Sequence, residues 1–381
     1  MRFDTELLHA GQPADPRTGA VNPPIYLSST FKQEAPGKDS GFVYSRSGNP
    51  TRATLESALA RLERGRVGLA FSSGMGAITT LLLAFPAKSR IVSTDDLYGG
   101  TWRIFEHFRR NYGFDVVYVD TSDPRTIERA MEERPTALLW LETPTNPLMH
   151  LVDLRAAARI ARAHRTPVGV DNTFASPALQ RPIEFGAEFS VHSTTKYLGG
   201  HSDIVGGAIV TRSRAWGEKL RWLQNAAGAV PSPFDSFLVL RGIHTLGVRM
   251  RAHEASARAV ASVLRKHPSV RQVFYPGLPS HPQYQLARRQ MHGAGGMLSF
   301  EIRGGLRPAR RFLTRLKIFT LAESLGGVES LANHPASMTH ASVDPKVRAA
   351  RGITDGIIRL SCGIEDPRDL ADDVRQALGG S

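Results

Sequence analysis

Cysteine occurs once in 381 residues, at Cys362. A single thiol excludes an intrachain disulfide and any metal site built from several cysteines. No apolar run approaches the roughly 18 residues that a bilayer span needs. The segment Met1 to Glu6 has no hydrophobic signal core. These absences set the expectation of a cytoplasmic globular protein with no membrane partner. Lysine is also scarce. Of 48 basic residues, 40 are arginine and 8 are lysine.

Against 35 acidic residues this leaves a formal net charge of +13. Such an excess suits a polyanionic partner. The arginines, however, are spread along the chain at helical spacings, as in Arg61, Arg64 and Arg66, or Arg155, Arg159 and Arg162, or Arg307, Arg310 and Arg311. They read as solvated helix faces. No nucleic-acid recognition motif accompanies them, and nucleic acid is not expected as a partner.

What is present is a chain of ordinary globular composition, 41% apolar and 22% charged, long enough for more than one domain. Residues 1–48 are proline-punctuated and read as an extended arm. Asn49-Pro50 then opens a helix, with Asn49 as the cap and Pro50 in the first helical position. Leu55, Leu59 and Leu62 form its apolar stripe, and Gly65 is its expected stop.

Short apolar strands then alternate with helices. The strand candidates are 67–71, 91–93, 116–119, 137–141, 168–171, 189–192 and 208–211. This alternation predicts an α/β fold: a mostly parallel central sheet with helices on both faces, spanning 49–230. A long helical stretch over 234–266 leads into strands at 270–274, 296–301, 318–321 and 357–361, and a final helix over 367–378. Residues 231–381 therefore read as a smaller C-terminal α/β domain.

Ligands of such sheets bind at the carboxyl ends of the strands. Chemistry-bearing residues fall at those ends. Lys196 follows Ser193-Thr194-Thr195 and precedes Gly199-Gly200. Arginine could supply a charge there, but only lysine can lose its proton and condense with a carbonyl. The alternative is a surface lysine in a polar loop. Ser72-Ser73-Gly74-Met75 follows a strand and opens a helix, where backbone N–H groups suit a phosphate. An ordinary turn has the same look. Asp171 ends a strand, either as a helix cap or as the partner of a cationic ring nitrogen. Arg359 lies inside the apolar run Ile357–Ser361, either in a salt bridge or holding a carboxylate bidentately. Together the four suit pyridoxal phosphate (PLP) acting on an amino acid.

The same residues carry a resemblance. The segments Tyr44-Ser45-Arg46-Ser47-Gly48-Asn49-Pro50-Thr51, Ser73-Gly74-Met75, Tyr98-Gly99-Gly100-Thr101, Glu142-Thr143-Pro144-Thr145-Asn146-Pro147, Asp171-Asn172-Thr173, Glu323-Ser324-Leu325-Gly326-Gly327 and Arg359-Leu360-Ser361, with the Lys196 segment, resemble the PLP enzymes of transsulfuration. Cystathionine γ-lyase, cystathionine γ-synthase and their relatives form this family. The likeness runs from Thr5 to the last helix and implies PLP fold type I.

It also implies roles. Lys196 is the lysine that holds the cofactor's aldehyde and later moves protons. Asp171 pairs with the ring nitrogen, and Tyr98 stacks on the ring and assists proton transfer. Asn146 contacts the ring hydroxyl. Gly74, Met75, Ser193 and Thr195 hold the phosphate, joined by Tyr44 and Arg46 from a neighbouring subunit. Arg359 and Ser324 place the substrate carboxylate, with Arg103 and Glu323 as further substrate-binding candidates. The working unit implied is a homotetramer, a dimer of dimers.

Gly100 sits where methionine γ-lyases usually carry cysteine, and Glu323 where β-lyases tend to carry an aromatic residue. The expected activity is cystathionine γ-lyase, with γ-synthase or O-acylhomoserine sulfhydrylase as the alternative. Cys362, where the family more often has valine, reads as a small buried hydrophobe or an oxidation-sensitive thiol.

Overall fold

The computed structural model describes residues 1–341 and 345–379. Seven strands form the large sheet: β1 (Val67–Phe71), β2 (Arg90–Thr94), β3 (Asp115–Val119), β4 (Leu138–Glu142), β5 (Val168–Asp171), β6 (Phe189–His192) and β7 (Gly207–Thr211). Their order is β1-β7-β6-β5-β4-β2-β3. Neighbours from β6 to β3 run parallel, and β7 runs antiparallel to both β1 and β6.

Side-chain alternation along a strand explains why both faces are covered. In β4, Leu138 and Trp140 enter one apolar cluster while Leu139 and Leu141 enter another. The first cluster takes Ile78 and Leu81 from helix Gly74–Leu83 and Phe105 from helix Gly99–Tyr112. The second takes Ile127 from helix Pro124–Glu133 and Ala157 from helix Leu154–Ala163.

The smaller sheet contains β8 (Val270–Phe274), β9 (Met297–Ile302), β10 (Thr320–Leu321), β11 (Leu331–Asn333) and β12 (Ile357–Ser361), in the order β10-β11-β12-β9-β8. Only β10 and β11 pair in parallel. Leu298, Phe300, Ile358 and Leu360 pack with Val260 and Leu264 of helix Leu246–Lys266, Phe312 of helix Leu306–Arg315 and Val374 of helix Pro367–Leu378.

Three local features depart from the sequence expectation. The N-terminal segment opens with a helix, Phe3–His9, whose Leu7 is buried in a core cluster. The stretch expected as one long helix is two, Pro233–His244 and Leu246–Lys266, divided at Thr245 (φ −105°, ψ 4°). Helix Pro50–Leu62 has the expected Asn49 cap, which accepts from Thr51 N–H and Arg52 N–H, but Gly65 is not its left-handed residue. Arg64 takes the positive φ of 61°. Gly65 is required for space, because a Cβ there would lie 2.2 Å from Val210 Cγ1.

Candidate active site

A cavity of about 400 Å³ opens at the carboxyl ends of β4, β5 and β6. Its wall includes Ser73, Gly74, Met75, Tyr98, Glu142, Asn146, Asp171, Ser193, Thr195, Lys196, Glu323, Ser324 and Arg359. These thirteen residues come from segments far apart in sequence, so the fold itself assembles what the sequence only suggests.

The floor comes from three strand ends. Asp171 ends β5, and its carboxylate accepts from Thr173 N–H at 3.0 Å. Burial raises its pKa, while the Thr173 contacts and the charge of His192 act in the opposite sense. Glu142 ends β4 in register with Asp171. His192 ends β6, lines the cavity, and approaches Glu63 at 2.6 Å through Nε2. Its Nδ1 is buried with no protein partner.

Lys196 lies in the turn after β6. That turn is held by bonds from Lys196 N–H to Ser193 O and from Gly200 N–H to Lys196 O, at 3.2 and 2.7 Å. The Lys196 amine donates to Ser324 Oγ at 2.7 Å. Burial, then the positive charge of Arg359, draws the ammonium down to about 8, against the pull of Glu323. Ser324 holds a φ of 90°, unusual for a residue with a side chain, as happens where a site dictates the backbone.

Arg359 projects from β12 and is 2% exposed. It donates from Nη1 to Asn146 Oδ1 and from Nη2 to Ser324 O, both at 2.9 Å. Its Nε is buried without a protein acceptor. A guanidinium has five N–H donors. The free remainder suits a ligand carboxylate.

The remaining wall is the start of helix Gly74–Leu83. Ser73 Oγ caps Gly76 N–H at 2.9 Å, and the positive end of the helix meets the cavity. Gly74 has no room for a side chain, since a Cβ would lie 2.9 Å from Ser193 Cβ. Thr195 Oγ1 accepts from Gly206 N–H at 2.9 Å, which fixes its hydroxyl at the same wall. Gly100 lies under the Tyr98 ring: a Cβ there would stand 2.4 Å from Tyr98 Cε1 and 2.9 Å from Met75 Sδ.

Three expected site residues lie elsewhere in this chain. Tyr44 is exposed, and Arg46 stacks over its ring at 5.7 Å and bonds Asn225 O at 2.7 Å. Arg103 is exposed on helix Gly99–Tyr112 and is not part of the cavity wall. The wall also contains Thr173, Phe174, His192, Val205 and Thr339, to which sequence reasoning gave no role. Thr173 and His192 were findable as neighbours of strand ends. Thr339 comes from an irregular loop with no signal. Cys362 is buried, and burial holds its thiol far above the usual range, so it packs as a small hydrophobe.

A condensable amine, a carboxylate at the floor and an anion-binding helix start fit PLP, and the unpartnered Arg359 N–H fits the carboxylate of an amino acid. Lys196 would hold its aldehyde, Asp171 its ring nitrogen, and Gly74, Met75, Ser193 and Thr195 its phosphate. Fold and site thus define a PLP-dependent enzyme of amino-acid chemistry. The chain belongs to the family of Cys/Met metabolism PLP-dependent enzymes, whose profile matches residues 4–379.

Individual relatives carry different activity names. Cystathionine β-lyase of Coxiella burnetii is 50% identical, over 99% of this chain and 97% of that protein. Cystathionine γ-lyase of Bacillus subtilis is 48% identical, over 99% of both. The crystal structure of cystathionine γ-synthase from Xanthomonas oryzae pv. oryzae, with aminoacrylate and cysteine, superposes with a TM-score of 0.97 at 47% identity, over 99% of this chain and 98% of that one. Among the described residues, no helix is long and apolar enough to cross a membrane, and no cluster of side chains suits a metal ion.

Proposed function

We propose that this protein is a cystathionine γ-lyase, which converts cystathionine and water to cysteine, 2-oxobutyrate and ammonia. The observation that carries this reading is Glu323. It lines the cavity from an exposed position, and its charge reaches both Lys196 and Arg359. Cystathionine has a distal ammonium that suits a carboxylate at the mouth, a group that methionine and homocysteine lack.

Bound PLP supplies a carbonyl for amine exchange and a ring that accepts electrons from the substrate. The chain supplies the rest. Arg359 holds the α-carboxylate with the donors left free by Asn146 and Ser324. Burial and the Arg359 charge favour the neutral form of the Lys196 amine, so it could take a proton from the α-carbon, pass that proton on to the bound cofactor and, neutral again, take one from the β-carbon. Loss of the β-proton lets the γ-sulfur leave as cysteine. Tyr98, at the cavity edge, is placed to hand that sulfur a proton.

The test is product analysis with cystathionine alone, and separately with an acylated homoserine plus cysteine or sulfide. Release of 2-oxobutyrate and cysteine as the dominant reaction is expected. Homocysteine and pyruvate would assign β-cleavage instead. Faster formation of cystathionine or homocysteine from the acylated homoserine would assign the synthase or sulfhydrylase. We further infer a cytoplasmic homotetramer in which Tyr44 and Arg46 complete the neighbour's site.

A further inference from the structure

The wall of the cavity is joined by one run of hydrogen bonds, in which Glu142 links Tyr98 to Asn146. Tyr98 N–H donates to Glu142 Oε2 at 2.8 Å. Asn146 N–H donates to Oε1 of the same side chain at 3.0 Å. Asn146 Oδ1 in turn accepts from Arg359, Arg359 donates to Ser324 O, and Ser324 Oγ accepts from Lys196. The run therefore connects the ring-facing tyrosine to the reactive lysine.

Glu142 is 4% exposed and stands beside Asp171 in the ladder. Two adjacent carboxylates repel in a poorly hydrated place. Burial, then the charge of Asp171, holds the Glu142 carboxyl well above its ordinary range. A neutral residue would avoid that repulsion. A carboxyl has two acceptor oxygens, however, and each here takes one N–H from a different loop. An asparagine or glutamine offers one oxygen, and its NH2 would face the other N–H.

We infer that Glu142 is a positioning residue: its two oxygens fix the backbones of Tyr98 and Asn146, and through Asn146 the Arg359 guanidinium, as one unit around the substrate. It touches no reacting atom itself. The inference needs the amino-acid chemistry of the family but not the choice between γ-lyase and γ-synthase.

The test uses the holoenzyme. Residue-resolved amide hydrogen exchange should find the Tyr98 and Asn146 amides slow in the native protein. In Glu142→Ala both should exchange about tenfold faster or more, at the scale of a lost bond to a charged group. Glu142→Gln keeps the volume and should speed mainly one of the two. Cystathionine binding, read from the visible absorbance of the bound cofactor, should weaken about tenfold in Glu142→Ala while cofactor content stays full. Asn146→Ala alone should weaken binding similarly, and adding Glu142→Ala to it should change binding less than about twofold. Unchanged amide exchange in folded variants, or fully multiplicative losses in the double variant, would overturn the inference.

Discussion

At the scale of single residues, environment decides what each titratable group does. Lys196 is the clearest case. Its amine is drawn to about 8 by burial and the charge of Arg359, against a usual lysine value of about 10.4. In cofactor-free protein it should be half neutral near pH 8. Trace acetylation read lysine by lysine by mass spectrometry should show Lys196 reactivity levelling off above that pH, while the same lysine in the unfolded chain keeps rising. The shift has a stability sign as well. Between about 8 and 10.5 the folded chain binds fewer protons than the unfolded chain, so this group favours folding more as pH rises through that window. A Lys196 profile that is the same in the folded and unfolded chain would remove the argument for a neutral base.

Glu323 offers a second test at this scale. If it reads the distal ammonium, Glu323→Gln should lower kcat/KM for cystathionine by roughly ten- to a hundredfold, the scale of a charged hydrogen bond. Cofactor binding should be intact. Turnover of an amino acid without a distal ammonium should change little. Equal losses on both substrates would make Glu323 a support for the Ser324 turn rather than a reader of substrate.

Among the elements, the strands were the most legible part of the sequence. β1, β5, β6, β8 and β12 have the expected bounds. β11 was missed, since Leu-Ala-Asn is three residues with no alternation to see. The break at Thr245 was missed because the apolar periodicity runs on through it, although Gly242 and Gly247 flank it. Helix Phe3–His9 was hidden by the prolines that follow. The antiparallel sense of β7 has no sequence signature at all. At the site, Lys196, Asp171 and Arg359 each had an ordinary alternative (a loop lysine, a helix cap, a salt bridge), and it was their combination that pointed to one site. Glu323, Ser324 and Asn146 came from resemblance alone, because their roles depend on contacts across the two sheets.

Helix Pro233–His244 shows what packing adds. Gly242 lies against the Lys196 turn, where a Cβ would stand 2.2 Å from Gly199 O and 2.6 Å from Leu198 O. Buried Arg249 stitches the same pieces together, donating to Tyr197 O and Gly242 O at 2.8 and 2.7 Å. Backbone atoms cannot step aside as a flexible side chain would. Gly242→Ala should cost about 1–3 kcal/mol from overpacking and push the turn that carries Lys196. Calorimetry should show a lower Tm, and reconstitution should show weaker PLP retention. Wild-type values for both would mean that helix and turn separate freely.

For the whole molecule, the question is whether one chain makes a whole site. Lys196, Asp171 and Arg359 converge within one chain, but Tyr44 and Arg46 do not reach its cavity wall. Their segment also leaves Val21, Leu27 and Val43 exposed at 86%, 71% and 41%. Exposed apolar side chains grouped in one arm suit burial against another copy. The resemblance gives that arm a purpose, the phosphate of the neighbouring site. Arg46→Ala and Lys196→Ala should each be inactive when every subunit carries the change. Mixed and reassembled, they should recover part of the activity, because one site of each hybrid dimer draws native Arg46 from one chain and native Lys196 from the other. Random pairing makes half the dimers hybrid, and half the sites of those are intact, so recovery should approach about a quarter of the native rate. Hybrids verified by mass that stay inactive would show that each site is built by one chain, and the exposed arm would then need another partner.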